Sequence, residues 1–235
     1  MQDVNKIELR RLDVTPGARV LDLGCSSGLQ ALAMAGEGLT VTGVDNSLLL
    51  LGACLRSARL QAAACSVVAA DAGHLPFPDD TFDAAVCTEV LEHVPDSAAA
   101  LAELGRTLRP GGRACIAVPT ARTERLFRAI HRHWAEDSGH VVVVKQSHLE
   151  REMRAAGLAV EKVVFTNFEW SLFWILHSLF QSRFDFTGSP LGHQRLTHLY
   201  WRAWKALEIL HLASSIRRSG NLILPKSVYM YAVKV

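Results

Sequence analysis

The 235-residue chain contains no apolar run long enough to cross a bilayer as a helix. The longest such runs are short, or are broken by His, Gln, Arg and Glu. The first twenty residues carry Asp3, Lys6, Glu8, Arg10, Arg11 and Asp13 and no continuous apolar stretch, so no signal peptide is expected. Cysteine is sparse: Cys25, Cys54, Cys65, Cys87 and Cys115 are odd in number and form no CxxC. Reduced, buried thiols and a cytoplasmic location are the expectation, not a disulfide framework. A net charge of only +2 gives no reason to expect DNA as a partner. Internal repeats and low-complexity linkers are also missing. With 49% apolar and 20% charged residues the chain is globular, and its length fits a single domain, 1–235, with an elaboration.

What is present in the first half is alternation. Strand-like apolar runs cover Arg19–Leu23, Thr40–Val44, Ser66–Ala69, Phe82–Cys87 and Arg113–Val118. Helix-like stretches, Gly28–Ala35, Ser47–Ala62 and Asp96–Leu108, lie between them. Strand, helix, strand in repetition predicts an α/β fold with a mainly parallel sheet and helices on both faces. LRPGG, Leu108–Gly112, reads as a helix stop followed by a glycine turn. Later, Arg122–Ala135 reads as a basic helix and Ser147–Ala156 as another, ended by Gly157. Ala159–Phe168 and Val228–Val235 are β-prone and would pair, although a long connection separates them.

The loop inside VLDLGCSSG, Val20–Gly28, sits where the first strand meets the first helix. Glycine there lets a backbone approach a ligand, and a helix N-terminus favours negative charge. A dinucleotide fingerprint needs glycine at the first, third and sixth positions, and this chain offers Gly24, Ser26 and Leu29. No GK[ST] follows, so a P-loop is excluded as well. Three acids then narrow the ligand. Asp45, closing VTGVDNS, is placed to accept the hydroxyls of a ribose. Asp71, in VVAADAGHLPF, can accept from an adenine amine, with the Ala72 N–H beside it for a ring nitrogen. Asp22, before the turn, can face a cationic amine, while the turn's N–H groups can hold a carboxylate. Adenine, ribose, amine and carboxylate without phosphate describe S-adenosylmethionine. The competing reading is that Asp22 and Asp45 simply cap the helices that follow.

With these segments in order, the chain resembles the class I S-adenosylmethionine-dependent methyltransferases, of the type 11-like group. VLDLGCSSG resembles their first motif, VTGVDNS the ribose motif, ADAGHLPFPDDTFDAAVCTEVLEHVPD the adenine segment with the fourth strand, and LRPGGRACIAVP the fifth. The likeness is close over Val14–Pro119 and loose after Ala159. It implies a Rossmann-like seven-stranded sheet with a helical insertion before the last strand, and a cofactor cradle of Asp22, Gly24, Cys25, Ser26, Gly28, Asp45, Asn46, Asp71, Ala72 and Thr88. Ser26 departs from the family's usual glycine; serine is small and needs no unusual φ if the turn relaxes slightly.

The resemblance places the reacting methyl group near Cys87, Thr88 and Glu89. There, Glu89, Glu92 and His93 of TEVLEHV are spaced to project from one face of a helical turn. Two carboxylates and an imidazole can bind Mg2+ or another divalent cation. The pattern resembles the ExxEH of metal-assisted O-methyltransferases of ubiquinone biosynthesis and of small-RNA 3′ ends, and His140 falls where a later histidine would complete the site. Such an ion would lower the pKa of an acceptor hydroxyl. The alternative is a turn shaped by local hydrogen bonds, leaving His93 or His140 as general base.

The connection 169–226 holds two apolar, aromatic segments, Trp170–Phe180 and His198–Ala213, both helix-like. Its bases, Arg183, Arg195, Arg202, Lys205, Arg217, Arg218 and Lys226, outnumber Asp185 and Glu208. It would form a substrate lid, a peripheral membrane contact or a homodimer contact, or simply pack as extra core. The basic helix Arg122–Trp134, with Arg122, Arg125, Arg128 and Arg132, is a solvated face or part of a rim for an anionic substrate. The function expected is methyl transfer from S-adenosylmethionine to a small or lipid-like acceptor, at oxygen. The alternatives are a catalytically silent cofactor-binding partner protein and an RNA 2′-O-methyltransferase. Against the last, no base-stacking platform is evident outside the insertion.

Overall fold

The structure, a computed structural model, describes residues 7–131, 133–181, 190–209 and 212–235, without the side chains of 135, 177–181, 190–197 and 209. Arg132, Arg183, Asp185 and Leu210 therefore lie outside the described residues, as do the side chains of Phe180, Arg195 and Ile209.

By its internal contacts the chain divides into two units, one of Met1–Val118, Val144–Val164 and Tyr229–Val235 and one of Pro119–Val143 and Phe165–Val228. In the first, a short 3-10 turn (Leu9–Arg11) leads into β1 (Arg19–Leu23), α1 (Leu29–Gly36), β2 (Thr40–Asp45), α2 (Leu48–Gln61), β3 (Cys65–Ala69), β4 (Phe82–Thr88), α3 (Ser97–Thr107) and β5 (Leu108–Pro119). The local chemistry sets several of these ends. The Ser47 and Asp96 side chains accept from the N–H groups of Leu50 and Ala99 and cap α2 and α3. Ala62 closes α2 in the left-handed conformation. α3 stops at Thr107 with Leu108 as its C-cap, the helix stop that LRPGG predicts, but in place of a separate glycine turn Leu108–Gly112 belongs to β5, which pairs with β4 through a register shift between Phe82 and Ala84.

The helices α4 (Ala121–Ile130) and α5 (Trp134–Ser138) follow, then α6 (Gln146–Ala155) and β6 (Leu158–Thr166), α7 (Phe168–Gln181), α8 (Pro190–Ile209), α9 (Ala213–Ile223) and β7 (Ser227–Lys234). The seven strands form one sheet in the order β3-β2-β1-β4-β5-β7-β6. β1 pairs in parallel with β2 and β4, β2 with β3 and β4 with β5. The Val235 N–H donates to the Gly157 carbonyl at 3.0 Å, so the end of β7 lies beside the start of β6 and the two run antiparallel. This is the pairing expected of the two late β-prone runs. One cluster under the sheet joins Leu12, Val20, Met34, Val41, Val86 and Tyr229, and burial of these side chains is the main stabilising term.

The second unit is helical and aromatic. Phe127 and Trp134 rings lie 4.6 Å apart, Trp134 and Trp174 5.3 Å, and Trp170 and Trp201 4.7 Å. The insertion's aromatic residues thus pack on one another. Its helical content also exceeds the expectation, because α9 adds a third segment after the two that were anticipated.

Candidate active site

The glycine loop is tied to β2 before any side chain is considered. The N–H groups of Gly24 and Cys25 both donate to the Val44 carbonyl, at 2.7 and 3.0 Å. Two glycines are required by space as well as by backbone. Gly24 has φ +77, and a Cβ there would lie 2.2 Å from Val90 Cγ2; Gly28 has φ +88, and its Cβ would lie 2.3 Å from Cys54 Sγ. Ser26 has φ +52, so the relaxed turn expected of a serine does not form and the residue holds the left-handed conformation that glycine adopts without cost. Its N–H is taken by Asp45 Oδ2 at 2.9 Å.

Asp45 also accepts from the Ser47 N–H through Oδ1 at 2.9 Å. It therefore pins the loop to the start of α2, and each oxygen keeps a second lone pair for a hydroxyl. Asn46 stands exposed beside it. Asp71, exposed at the end of β3, accepts from the Gly73 N–H at 2.7 Å, and Ala72 is half-buried next to it. Thr88, at the end of β4, donates to Gln30 Oε1 at 3.4 Å, a partner that sequence reasoning did not supply. Cys25 is buried under the loop. Burial, more than the neighbouring Asp22, Cys54 and Asp45, pushes its thiol far up, so the side chain stays a neutral thiol that packs and donates to the Ser26 carbonyl.

Asp22 carries the most informative environment. It is 2% exposed, and Oδ2 has no hydrogen-bond partner. Burial raises its carboxyl from 3.8 to about 7, with a backbone hydrogen bond from Ala31 and the charge of Asp45 as smaller, opposed effects. A buried, unpartnered carboxylate oxygen at the C-terminal end of a parallel strand is the complement of an ammonium group. Asp22, the left-handed glycines and Asp45 therefore fit the amino-acid and ribose portions of S-adenosylmethionine.

The acceptor side differs from expectation. Glu89 has φ +55, and its N–H donates to the Ala117 carbonyl at 2.8 Å. Leu91–His93 is a turn, with the His93 N–H on the Val90 carbonyl at 2.9 Å. Glu89, Glu92 and His93 do not share a helical face, because the left-handed residue redirects the chain before the turn. Glu92 is buried and His93 exposed.

His140 stands in the second unit, with a neighbour that sequence reasoning missed. Its Nδ1 lies 3.0 Å from Glu124 Oε2. Glu124 is buried at 2% exposure and also accepts from Trp134 Nε1 at 3.0 Å and Arg128 Nε at 3.2 Å. Burial pushes this carboxyl up, but the hydrogen bond and charge of His140, the Trp134 indole and the Arg128 charge outweigh it and hold it below its ordinary value. The available signal was a single acid among Arg122, Arg125 and Arg128.

Comparison with known proteins shows the family of the chain. The family model described as a methyltransferase domain matches residues 5–163. The ubiquinone biosynthesis O-methyltransferase of Thiobacillus denitrificans is 37% identical over 121 residues, 48% of this chain and 50% of that protein. The demethylmenaquinone methyltransferase of Corynebacterium kroppenstedtii is 36% identical over 134 residues, 53% of this chain and 56% of that protein. The chain thus spans about half the length of the curated relatives it matches. Among solved structures, a SAM-dependent methyltransferase from Methanosarcina mazei aligns with a TM-score of 0.66 over 99% of both chains at 17% identity, a likeness of fold alone.

Proposed function

The chain belongs to the methyltransferase domain family, and from that premise we propose that it transfers the methyl group of S-adenosylmethionine to an oxygen of a quinone-like small molecule. The observation that carries the cofactor half is the orphan Oδ2 of buried Asp22 beside the left-handed glycine loop. The acceptor class is supported by relatives named for ubiquinone and menaquinone substrates. When bound, S-adenosylmethionine supplies a methyl group on a positively charged sulfur, which an acceptor oxygen displaces in line.

The chain's own residues do the rest. Asp22 holds the amine; the Gly24, Cys25, Ser26 and Gly28 N–H groups, expected from the sequence to take the carboxylate, are already spent on Val44, Asp45 and Cys25. Asp45 accepts from the ribose, and Asp71 with Ala72 reads the adenine. On the acceptor side, His93 or His140 takes the proton of the hydroxyl on an unprotonated ring nitrogen. With Nδ1 of His140 directed at Glu124, the basic nitrogen of the neutral ring is Nε2. A divalent ion on Glu89, Glu92, His93 and His140 belongs to the same proposal. It no longer has the support of a shared helical face. Calorimetry with S-adenosylhomocysteine, with and without magnesium or manganese, on wild type and Glu92→Ala decides it: unchanged binding and activity in every arm removes the ion and leaves the imidazole.

The proposal is tested by supplying S-adenosylmethionine labelled in the methyl group with a panel of catechols and demethylated quinols, and reading the product by mass spectrometry. Labelled ether formation that is lost in His93→Ala or His140→Ala supports it. Tight S-adenosylhomocysteine binding with no product from any phenol, or label on carbon or nitrogen only, overturns the acceptor assignment.

A further inference from the structure

The α9 helix has a fixed inner face and an outer face of unusual character. Gly220 points inward so closely that a Cβ there would lie 2.2 Å from the Phe168 ring. Ala213 is buried on the same side, and Arg217 reaches back to Glu169 Oε1 at 3.0 Å. The outer residues Ser214, Ser215, Arg218 and Ser219 are exposed, and several aliphatic side chains are exposed beside them. Leu212, just before the helix, is 51% exposed, Ile216 37%, Leu222 83% and Ile223 62%. At helical spacing Leu212, Ile216 and Ile223 form one stripe beside the inner face, with Ser219 at its edge, and exposed Ser215, Leu222 and Arg218 follow farther round the helix. A soluble helix normally faces water with charge at such positions.

The charge of this unit bears on the partner. Residues 119–143 and 165–228 carry eleven Lys and Arg against six Asp and Glu, a balance of +5, whereas the rest of the chain carries fourteen against seventeen, a balance of −3. An apolar stripe on a basic unit is complementary to an anionic phospholipid surface, whose headgroups attract cations and whose acyl boundary takes aliphatic side chains. Among the described residues no helix is long and apolar enough to cross a membrane, and eleven-residue α9 would lie in the interface. We propose that α9 docks the protein on an anionic bilayer surface through Leu212, Ile216, Leu222 and Ile223, with Arg218 against the headgroups. The inference extends the reading of a quinone-like acceptor, a class that includes lipid-soluble molecules, but it rests on α9 and not on the catalytic step.

The full-length chain is sedimented with vesicles of phosphatidylcholine alone and of equal parts phosphatidylcholine and phosphatidylglycerol. The expected result is binding to the anionic vesicles that weakens as salt rises. Because Leu222 and Ile223 are exposed, Leu222→Ser/Ile223→Ser should keep the fold and lower binding by about tenfold or more, and Arg218→Glu should lower it most at low salt. Equal binding by the double variant and wild type overturns the proposal, as does wild type that ignores anionic vesicles. A wild-type dimer that the double variant converts to monomer, with no vesicle binding, also overturns it and gives the face to a second copy of the chain. S-adenosylhomocysteine calorimetry on the same samples keeps this outcome separate from the fate of the methyltransferase proposal: vesicle binding can fail while cofactor binding persists, and the reverse.

Discussion

Replacing Asp22 with Asn should stabilise the cofactor-free protein at alkaline pH and weaken its grip on the cofactor. The sign follows from the burial of this carboxyl. In the unfolded chain it ionises near 3.8, whereas in the fold it keeps its proton up to about 7. As pH rises from about 4 the unfolded state loses the proton first, so the fold loses stability up to about pH 7 and no more beyond it. A carboxyl moved from 3.8 to about 7 corresponds to about 4 kcal/mol against the ionised fold. Asp22→Asn keeps the shape and cannot ionise. Its advantage over wild type should therefore be near zero at pH about 4 and grow to about 4 kcal/mol at pH about 8. Urea unfolding followed by tryptophan fluorescence across that range measures it. Adding S-adenosylhomocysteine, which carries the same amine, should narrow the gap by stabilising wild type preferentially. A stability difference that stays constant with pH would refute the reasoning, because it would mean that the carboxylate is already solvated or paired.

Gly28→Ala combines a left-handed φ with a Cβ 2.3 Å from Cys54 Sγ; it should cost about 1–3 kcal/mol in thermal or urea unfolding and abolish measurable S-adenosylhomocysteine binding. Ser26→Gly relieves φ +52 without removing the N–H bound to Asp45, so it should raise stability by about 0.5 kcal/mol, seen as a higher urea midpoint with unchanged slope. Glu124→Gln keeps the shape but removes the charge facing His140 and Arg128 and should cost about 1–3 kcal/mol at neutral pH. Because the Glu124 carboxyl is held below its ordinary value, that deficit should shrink as acid protonates wild type, which unfolding at neutral and acid pH will show.

The half of the chain that alternates strand and helix was legible because each element there carries its own local instruction. Arg19–Leu23 is a strand-like run interrupted only by Asp22 after its first residue, Ser47 and Asp96 are helix caps, and Asp45 closes its strand. Asp22, Asp45 and Asp71 were readable from type and position. What was not readable depended on backbone or on distant packing. Ser26 and Glu89 adopt left-handed conformations that glycine-free sequence does not announce, and the one at Glu89 breaks the helical turn assumed for TEVLEHV. The α9 helix escaped notice because its inward residues are small, and Gly220 reads as a breaker until Phe168 is seen against it. Nothing in the sequence of the basic helix singles out Glu124, and only the convergence of Trp134, Arg128 and His140 shows why it is buried.

The most direct measurement is a calorimetric titration of S-adenosylhomocysteine into the wild-type chain and into Asp45→Asn. One site per chain, weakened about tenfold or more when the carboxylate oxygen proposed to hold the ribose becomes an amide, is the result this account predicts. No heat from S-adenosylhomocysteine, with saturable binding of a nicotinamide dinucleotide or a nucleoside phosphate in its place, would contradict it.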